Sequence, residues 1–215
     1  MAEAVKRSYD STRRREQAAQ TQRQILEAAQ RLFERDGYAT TTVAAIASEA
    51  GVATKTVYLA FESKSGVLRA LWHVLLRGDQ ADIPVGEGEW YRETLAEPDP
   101  EARIVRVAIR SREVKERAAE IMEVIRTAAP ADPDIAVLWE RIQSNFRDLL
   151  RPVVASLHAD GVLRPGLDVD EATDVLWALV HPDIWQLLVN QRGWSVERYE
   201  RWCVDAVRAQ LLAQP

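Results

Sequence analysis

Residues 54–58 hold the side chains best placed to do chemistry, and that chemistry is recognition. Thr54, Lys55, Thr56 and Tyr58 all carry hydrogen-bonding groups within five positions. Each can bond to DNA, and the Lys55 ammonium suits a guanine edge or a phosphate. Bond-making chemistry has no comparable cluster. His73, His158 and His181 are scattered, with no i, i+4 pair and no cysteine beside them. No carboxylate couple stands out, and there is no glycine-rich phosphate loop. The single Cys203 excludes an intramolecular disulfide and a cysteine metal cage. The sequence therefore calls for no cofactor, no metal and no enzymatic activity.

The elements that must position those residues are two short helices. Residues 43–61 read VAAIASEAGVATKTVYLAF. Val43 to Ala50 predicts one helix, Thr54 to Phe61 a second, and a tight turn at Gly51-Val52 joins them as a helix-turn-helix. Ile46, Ala50, Val52 and Val57 supply a small shared core. Ala47 is small where the axes cross, and Gly51 takes the positive φ that the turn needs. Before this unit, Ala18, Ile25, Leu26, Ala29, Leu32 and Phe33 recur at helical spacing and predict a helix over Thr12 to Arg35. Asp36-Gly37-Tyr38 stops it. After the unit, Ser63 caps a helix to about Arg77.

Over residues 25–68 the chain resembles the TetR family of bacterial repressors. The family pattern is carried by Phe33, Gly37, Tyr38, Thr41, Thr42, Ile46, Ala47, Ala50, Gly51, Val52, Thr56, Tyr58, Phe61, Lys64 and Leu68. The resemblance implies an all-α fold, with an N-terminal three-helix DNA-binding domain followed by a larger helical ligand-binding and dimerisation domain. It also implies roles. Thr41 and Thr42 would bind phosphate at the start of the second helix. Thr54, Lys55 and Thr56 would face base edges, Thr56 capping or packing in its other reading. Tyr58 and Lys64 would reach phosphates. Arg13 and Arg14 would enter the minor groove or follow the backbone. Ala53 and Ala60 depart from many relatives, which have Ser and His or Tyr there. Those two positions cannot contact phosphate through a polar side chain.

Charge is distributed in the same sense. The whole chain carries −5, but residues 1–80 carry +3 and the remainder −8. Apolar residues make up 47% and charged residues 28%, the balance of a soluble globular protein, and the longest apolar runs are too short for a membrane span. With no apolar export segment at the N-terminus, a cytoplasmic location is expected. Helices are expected near 89–97, 100–129, 133–159, 170–180, 183–191 and 195–212, with Asp170 capping the fourth of these. The domain reading is 1–62 for the arm and helix-turn-helix and 63–215 for effector binding and dimerisation. Helix 63–77 is shared as a connector.

The C-terminal part reads less sharply. A pocket lining is expected from Trp90, Val107, Ile121, Ile125, Trp139, Ile142, Phe146 and Trp177, all of which also read as plain core. Arg106 and Arg110 share a helix face, first as surface ion pairs and otherwise as holders of an anionic ligand. Dimerisation through the last helices is expected at Leu176, Leu179, Tyr199, Trp202, Val207 and Leu211, residues that could instead complete a monomer core. The reading is thus a homodimeric repressor of a palindromic double-stranded operator, released by a small-molecule effector and with no membrane partner. The alternatives are control by a protein partner, activation in place of repression, or a helical enzyme or carrier.

Overall fold

The computed structural model describes the backbone over residues 2–78 and 85–213, and the side chains within it except those of residues 2–12, 14 and 85. The described residues form ten α-helices: α1 (Ala2–Thr40), α2 (Val43–Glu49), α3 (Thr54–Phe61), α4 (Lys64–Arg77), α5 (Glu89–Ala96), α6 (Pro100–Ala128), α7 (Pro133–Ala159), α8 (Val169–Leu179), α9 (Pro182–Trp185) and α10 (Val196–Leu211). The one β pairing among them is an isolated antiparallel bridge, Leu163 with Leu212, which ties the end of α10 to the α7–α8 link. The all-α expectation holds.

Side-chain caps set most helix starts. Thr42, Ser63, Asp99, Asp132, Asp168, His181 and Ser195 each accept a backbone N–H from the first turn of the helix they precede. Pro100, Pro133 and Pro182 follow three of these caps, where a proline loses no intrahelical bond. The α8 cap is Asp168 and not Asp170, so that helix starts earlier than its apolar pattern suggests. α1 also starts earlier than expected, because residues 2–24 contain no Gly or Pro and many strong helix formers. Its packed face begins at Ile25, and Ala18, expected on that face, is exposed.

Two apolar cores lie along the molecule. One joins α1–α4 to the C-terminal half of α6 and the first half of α7, around Ile25, Phe33, Ile46, Leu68, Ile121 and Ile125. The other joins α5, the N-terminal half of α6 and the rest of α7 to α8–α10, around Val154, Leu157, Leu176, Tyr199 and Leu211. The 29-residue α6 runs through both and mechanically connects them. The core under the helix-turn-helix therefore does not stop at α4; it continues into the second part of the chain.

Candidate nucleic-acid interface

α3 is amphipathic over only eight residues, and its two faces are sharply different. Val57 is fully buried and Phe61 half-buried, one turn apart, and they anchor the helix. Thr54, Lys55 and Tyr58 are exposed on the other side, and Thr56 is intermediate. Leu59 joins the exposed face at 77% exposure, although it is large and apolar. It was not among the expected contacts; its i+4 relation to Lys55, away from Val57 and Phe61, is the signal that places it there. Ala53 offers no side-chain cap, so the first α3 N–H groups meet solvent or a ligand rather than a side chain.

The joints around α3 are built from backbone requirements. Gly51 sits at φ 67, and Val52 N–H closes the turn on the Ala47 carbonyl at 2.9 Å. Between α3 and α4, Glu62 holds φ 68, a strained conformation for a side-chain-bearing residue. Gly66 then passes so close to α3 that an added Cβ would lie 1.9 Å from the Phe61 carbonyl oxygen. Ser63 accepts the Gly66 N–H at 2.9 Å, which fixes the angle at which α4 leaves.

The residues expected to hold phosphate divide. Thr42 is exposed and accepts the Ala45 N–H at 3.1 Å, so its own O–H remains available to donate outward. Thr41 does not face outward. It is buried, and its hydroxyl donates to the Gly37 carbonyl at 2.8 Å at the end of α1. Its hydroxyl cannot serve as a phosphate ligand, because the α1–α2 corner turns it inward onto a helix-end carbonyl. The Lys64 ammonium is likewise turned inward, donating to the Tyr38 and Thr41 carbonyls at 2.7 and 3.0 Å and lying 4.1 Å from the Tyr38 ring centre. Burial lowers its pKa, against the opposing charge of Asp132. Arg13 is exposed on α1, and the Arg14 side chain lies outside the described residues.

Beyond the shared core, two side-chain hydrogen bonds tie this unit to the start of α7. The Tyr38 hydroxyl donates to Asp132 at 2.6 Å, and the Ser65 hydroxyl donates to Asp134 at 3.0 Å. Both carboxylates stand at the start of α7. Burial and the Asp132 carboxylate raise the Tyr38 pKa, so the phenol stays protonated and donating.

A cavity of about 510 Å³ opens between α4, α5, α6 and α7, with Pro182 of α9 at its edge. Of the expected lining, Trp90, Val107, Arg110, Ile142 and Phe146 are there. Arg106, Ile121, Ile125, Trp139 and Trp177 are not. Arg106 pairs on the surface with Glu97 at 3.2 Å and Glu93 at 3.6 Å. Ile121 and Ile125 lie on the α6 stripe that packs in the core shared with α1 and α4, while the stripe through Val107, Ser111, Lys115 and Met122 faces the void. Trp139 packs against that same core, and Trp177 lies edge-on to His181 at 4.6 Å. Trp72, His73, Tyr91 and Lys115 were not expected in the lining. Burial and the nearby Arg77, Arg69 and Arg141 lower the His73 pKa, which keeps the imidazole neutral at pH 7.

The expected dimer residues also divide. Leu176, Tyr199, Val207 and Leu211 are at most 2% exposed within one protomer, where they complete its own core. They are not available to a partner, because α8 and α10 turn their widest apolar stripes toward α6 and α7. Leu179 and Trp202 remain half-exposed.

Comparison with known proteins agrees with the site. Residues 25–71 match the family described as bacterial regulatory proteins, tetR family. The helix-turn-helix-type transcriptional regulator ArpR of Pseudomonas putida is 30% identical over 208 residues, covering 91% of this chain and 95% of ArpR. A transcriptional regulator of Saccharomonospora viridis, solved with choline, superposes with a TM-score of 0.70 at 23% identity over 91% of this chain and all of that one. NalD, the secondary repressor of the MexAB-OprM multidrug efflux pump of Pseudomonas aeruginosa, gives a TM-score of 0.71 at 20% identity over 91% and 98%. This chain is a member of the TetR family: a DNA-binding transcriptional regulator with an N-terminal helix-turn-helix followed by a helical domain. Among the described residues no helix is long and apolar enough to cross a membrane.

Proposed function

We propose that this protein is a homodimeric repressor that reads a palindromic operator with α3 and leaves it when a small molecule fills the α4–α7 cavity. One observation carries the reading: α4 belongs to both sites. Its first residue bonds the α1–α2 corner through Lys64, its joint with α3 is fixed by Gly66, and its second half contributes Trp72, His73 and Leu76 to the cavity. A 14-residue helix is about 21 Å long, so a tilt induced at the cavity end displaces the α3 end. A ligand that favours the tilted state shifts the population away from operator binding. The solved relatives bound to choline or named as a repressor support the same class of behaviour.

In this reading Thr54, Lys55 and Tyr58 contact bases and phosphates, and Leu59 supplies apolar contact to a thymine methyl. The Thr42 O–H and the uncapped start of α3 bind phosphate. Arg13 and Arg14 extend the charged contact along the backbone. Residues 1–62 form the reading unit and 63–215 the effector and dimerisation unit, with α4 as connector. The half-exposed Leu179 and Trp202 belong to the subunit contact. The location is the cytoplasm, where operator DNA is reached, and no catalysis is assigned. Footprinting on the DNA upstream of the protein's own gene tests this, alongside sedimentation. Two protected half-sites about 34–36 Å apart and a dimeric mass are expected. A single half-site bound by a monomer contradicts the reading.

A further inference from the structure

The cavity wall carries an imbalance of charge that an apolar pocket would not need. Lys115 is 3% exposed and faces the cavity from the middle of α6. Its ammonium has one hydrogen-bond partner, the Ser111 hydroxyl, and lies 5.4 Å from the centre of the Tyr199 ring. Among the described residues no carboxylate is within ion-pair distance of it. The carboxylates on neighbouring elements are taken up by other partners. His181 precedes α9; burial lowers its pKa, the Asp183 carboxylate 3.4 Å from its ring opposes that, and Lys115 adds to the lowering. Cys203 on α10 is buried and its thiol pKa is raised, so it stays neutral. Glu200, also on α10, is held by Arg112 at 2.9 Å. Five residues earlier on α6, at the other edge of the cavity-facing side, Arg110 lines the cavity and stacks over Trp90 at 5.2 Å. One of its terminal nitrogens pairs with Glu113 at 3.1 Å, while its Nε is buried without a hydrogen-bond partner.

A buried ammonium without a counter-charge, and a buried guanidinium N–H without an acceptor, each cost free energy in the empty protein. An anion placed between them would offset both costs. Trp72, Tyr91, Phe146 and Leu149 give the void an aromatic and apolar wall, and Arg77 and Arg141 at its lining add positive rather than negative charge. Asp148, the one acidic lining residue, is exposed and forms no ion pair with Lys115.

Building on the effector reading above, we propose that the cavity takes an amphipathic organic carboxylate, its head on Lys115 and the Arg110 Nε and its body against the aromatic wall. A quaternary amine is the wrong charge for this wall. Burial holds Lys115 at a pKa of about 7 in the empty protein. An arriving carboxylate would restore the charged form, so binding would take up a proton on the alkaline side of that value.

Calorimetry on the full chain tests this with two isosteric pairs: biphenyl-4-carboxylate against biphenyl-4-carboxamide, and dodecanoate against dodecanamide. Each carboxylate should bind about tenfold or more tightly than its amide, as a charge-assisted bond to a buried ammonium requires. At pH about 8, carboxylate binding should consume protons, read from buffers of different ionisation enthalpy. Lys115→Met should abolish both the preference and the proton uptake, while leaving amide binding, operator affinity and a cooperative unfolding transition in place. Equal affinity within both pairs overturns the anion proposal and leaves the cavity as an effector site. A preference that survives Lys115→Met overturns the assignment of the head group. If all four probes fail to bind at about millimolar concentration, with operator affinity unmoved, the proposal fails together with the effector reading of this cavity.

Discussion

At the scale of single residues, the reading surface depends on small side chains as much as on those that face DNA. Gly66 is the clearest case, because a Cβ there would meet the Phe61 carbonyl oxygen at 1.9 Å. Backbone cannot move aside as a flexible side chain can. Gly66→Ala should therefore cost about 1–3 kcal/mol in urea unfolding, the range of an overpacked site, and should weaken operator binding beyond that by shifting α3 against α4. Unchanged stability and affinity would show that the joint is looser than its geometry. The residue-level signals were legible unevenly. The exposed row of Thr54, Lys55 and Tyr58 follows from composition and helical spacing. The inward turn of Thr41 and Lys64 does not, because a polar side chain beside a helix end can serve either the protein's own carbonyls or an outside phosphate. Only the three-dimensional path of the α1–α2 corner decides which. Lys115 escaped notice for a related reason, since a lysine in the charged run of α6 resembles any solvated one.

At the scale of elements, caps and breakers were the most legible features and helix faces the least. The Pro and Gly punctuation located most helix ends to within a few residues, because those residues act through the local backbone. Which stripe of α6 faces the cavity was not readable. Two apolar stripes run along that helix, one through Ile121 and Ile125 and one through Val107 and Met122, and the sequence does not say which neighbour meets which. The link between α1 and α7 was also invisible, since Tyr38 and Asp132 are 94 positions apart. That link should be measurable. Tyr38→Phe keeps the ring and its packing on Phe33 but removes the 2.6 Å bond to Asp132. It should destabilise the protein by about 1.5–3 kcal/mol in urea unfolding, as expected for a bond to a charged acceptor. No loss would mean that water replaces the phenol at no cost.

At the scale of the whole molecule, two cores share one long helix, and the buried charge lies in the wall of the cavity between α4 and α7. This charge gives stability a pH signature. Lys115 has a folded pKa of about 7 against an ordinary 10.5. Between those values the unfolded chain holds a proton that the folded chain lacks, so this group makes stability rise with pH through that window. Below about pH 7 both states are charged, and the full cost of burying the ammonium is present. Lys115→Met should accordingly raise Tm over wild type most at or below pH 7, with the advantage shrinking toward pH 10. A constant difference across that range would contradict the assignment. The subunit contact was the least legible feature at this scale. Apolar stripes on α8 and α10 do not name their partner, and Leu176, Tyr199, Val207 and Leu211 all went to the protomer's own core.

The central claim is that the exposed face of α3 holds this regulator on DNA. Fluorescence anisotropy with labelled DNA from upstream of its own gene, titrated with wild type and with a Lys55→Ala, Tyr58→Ala double variant over a series of salt concentrations, tests it most directly. Both side chains are exposed, so the double variant should unfold like wild type. Wild type should bind tightly at low salt and lose affinity steeply as salt rises, through counterion release at its phosphate contacts. The double variant should bind at least about a hundredfold more weakly, each lost contact costing about 1–3 kcal/mol. Equal affinity of the two proteins across the salt series would contradict the account.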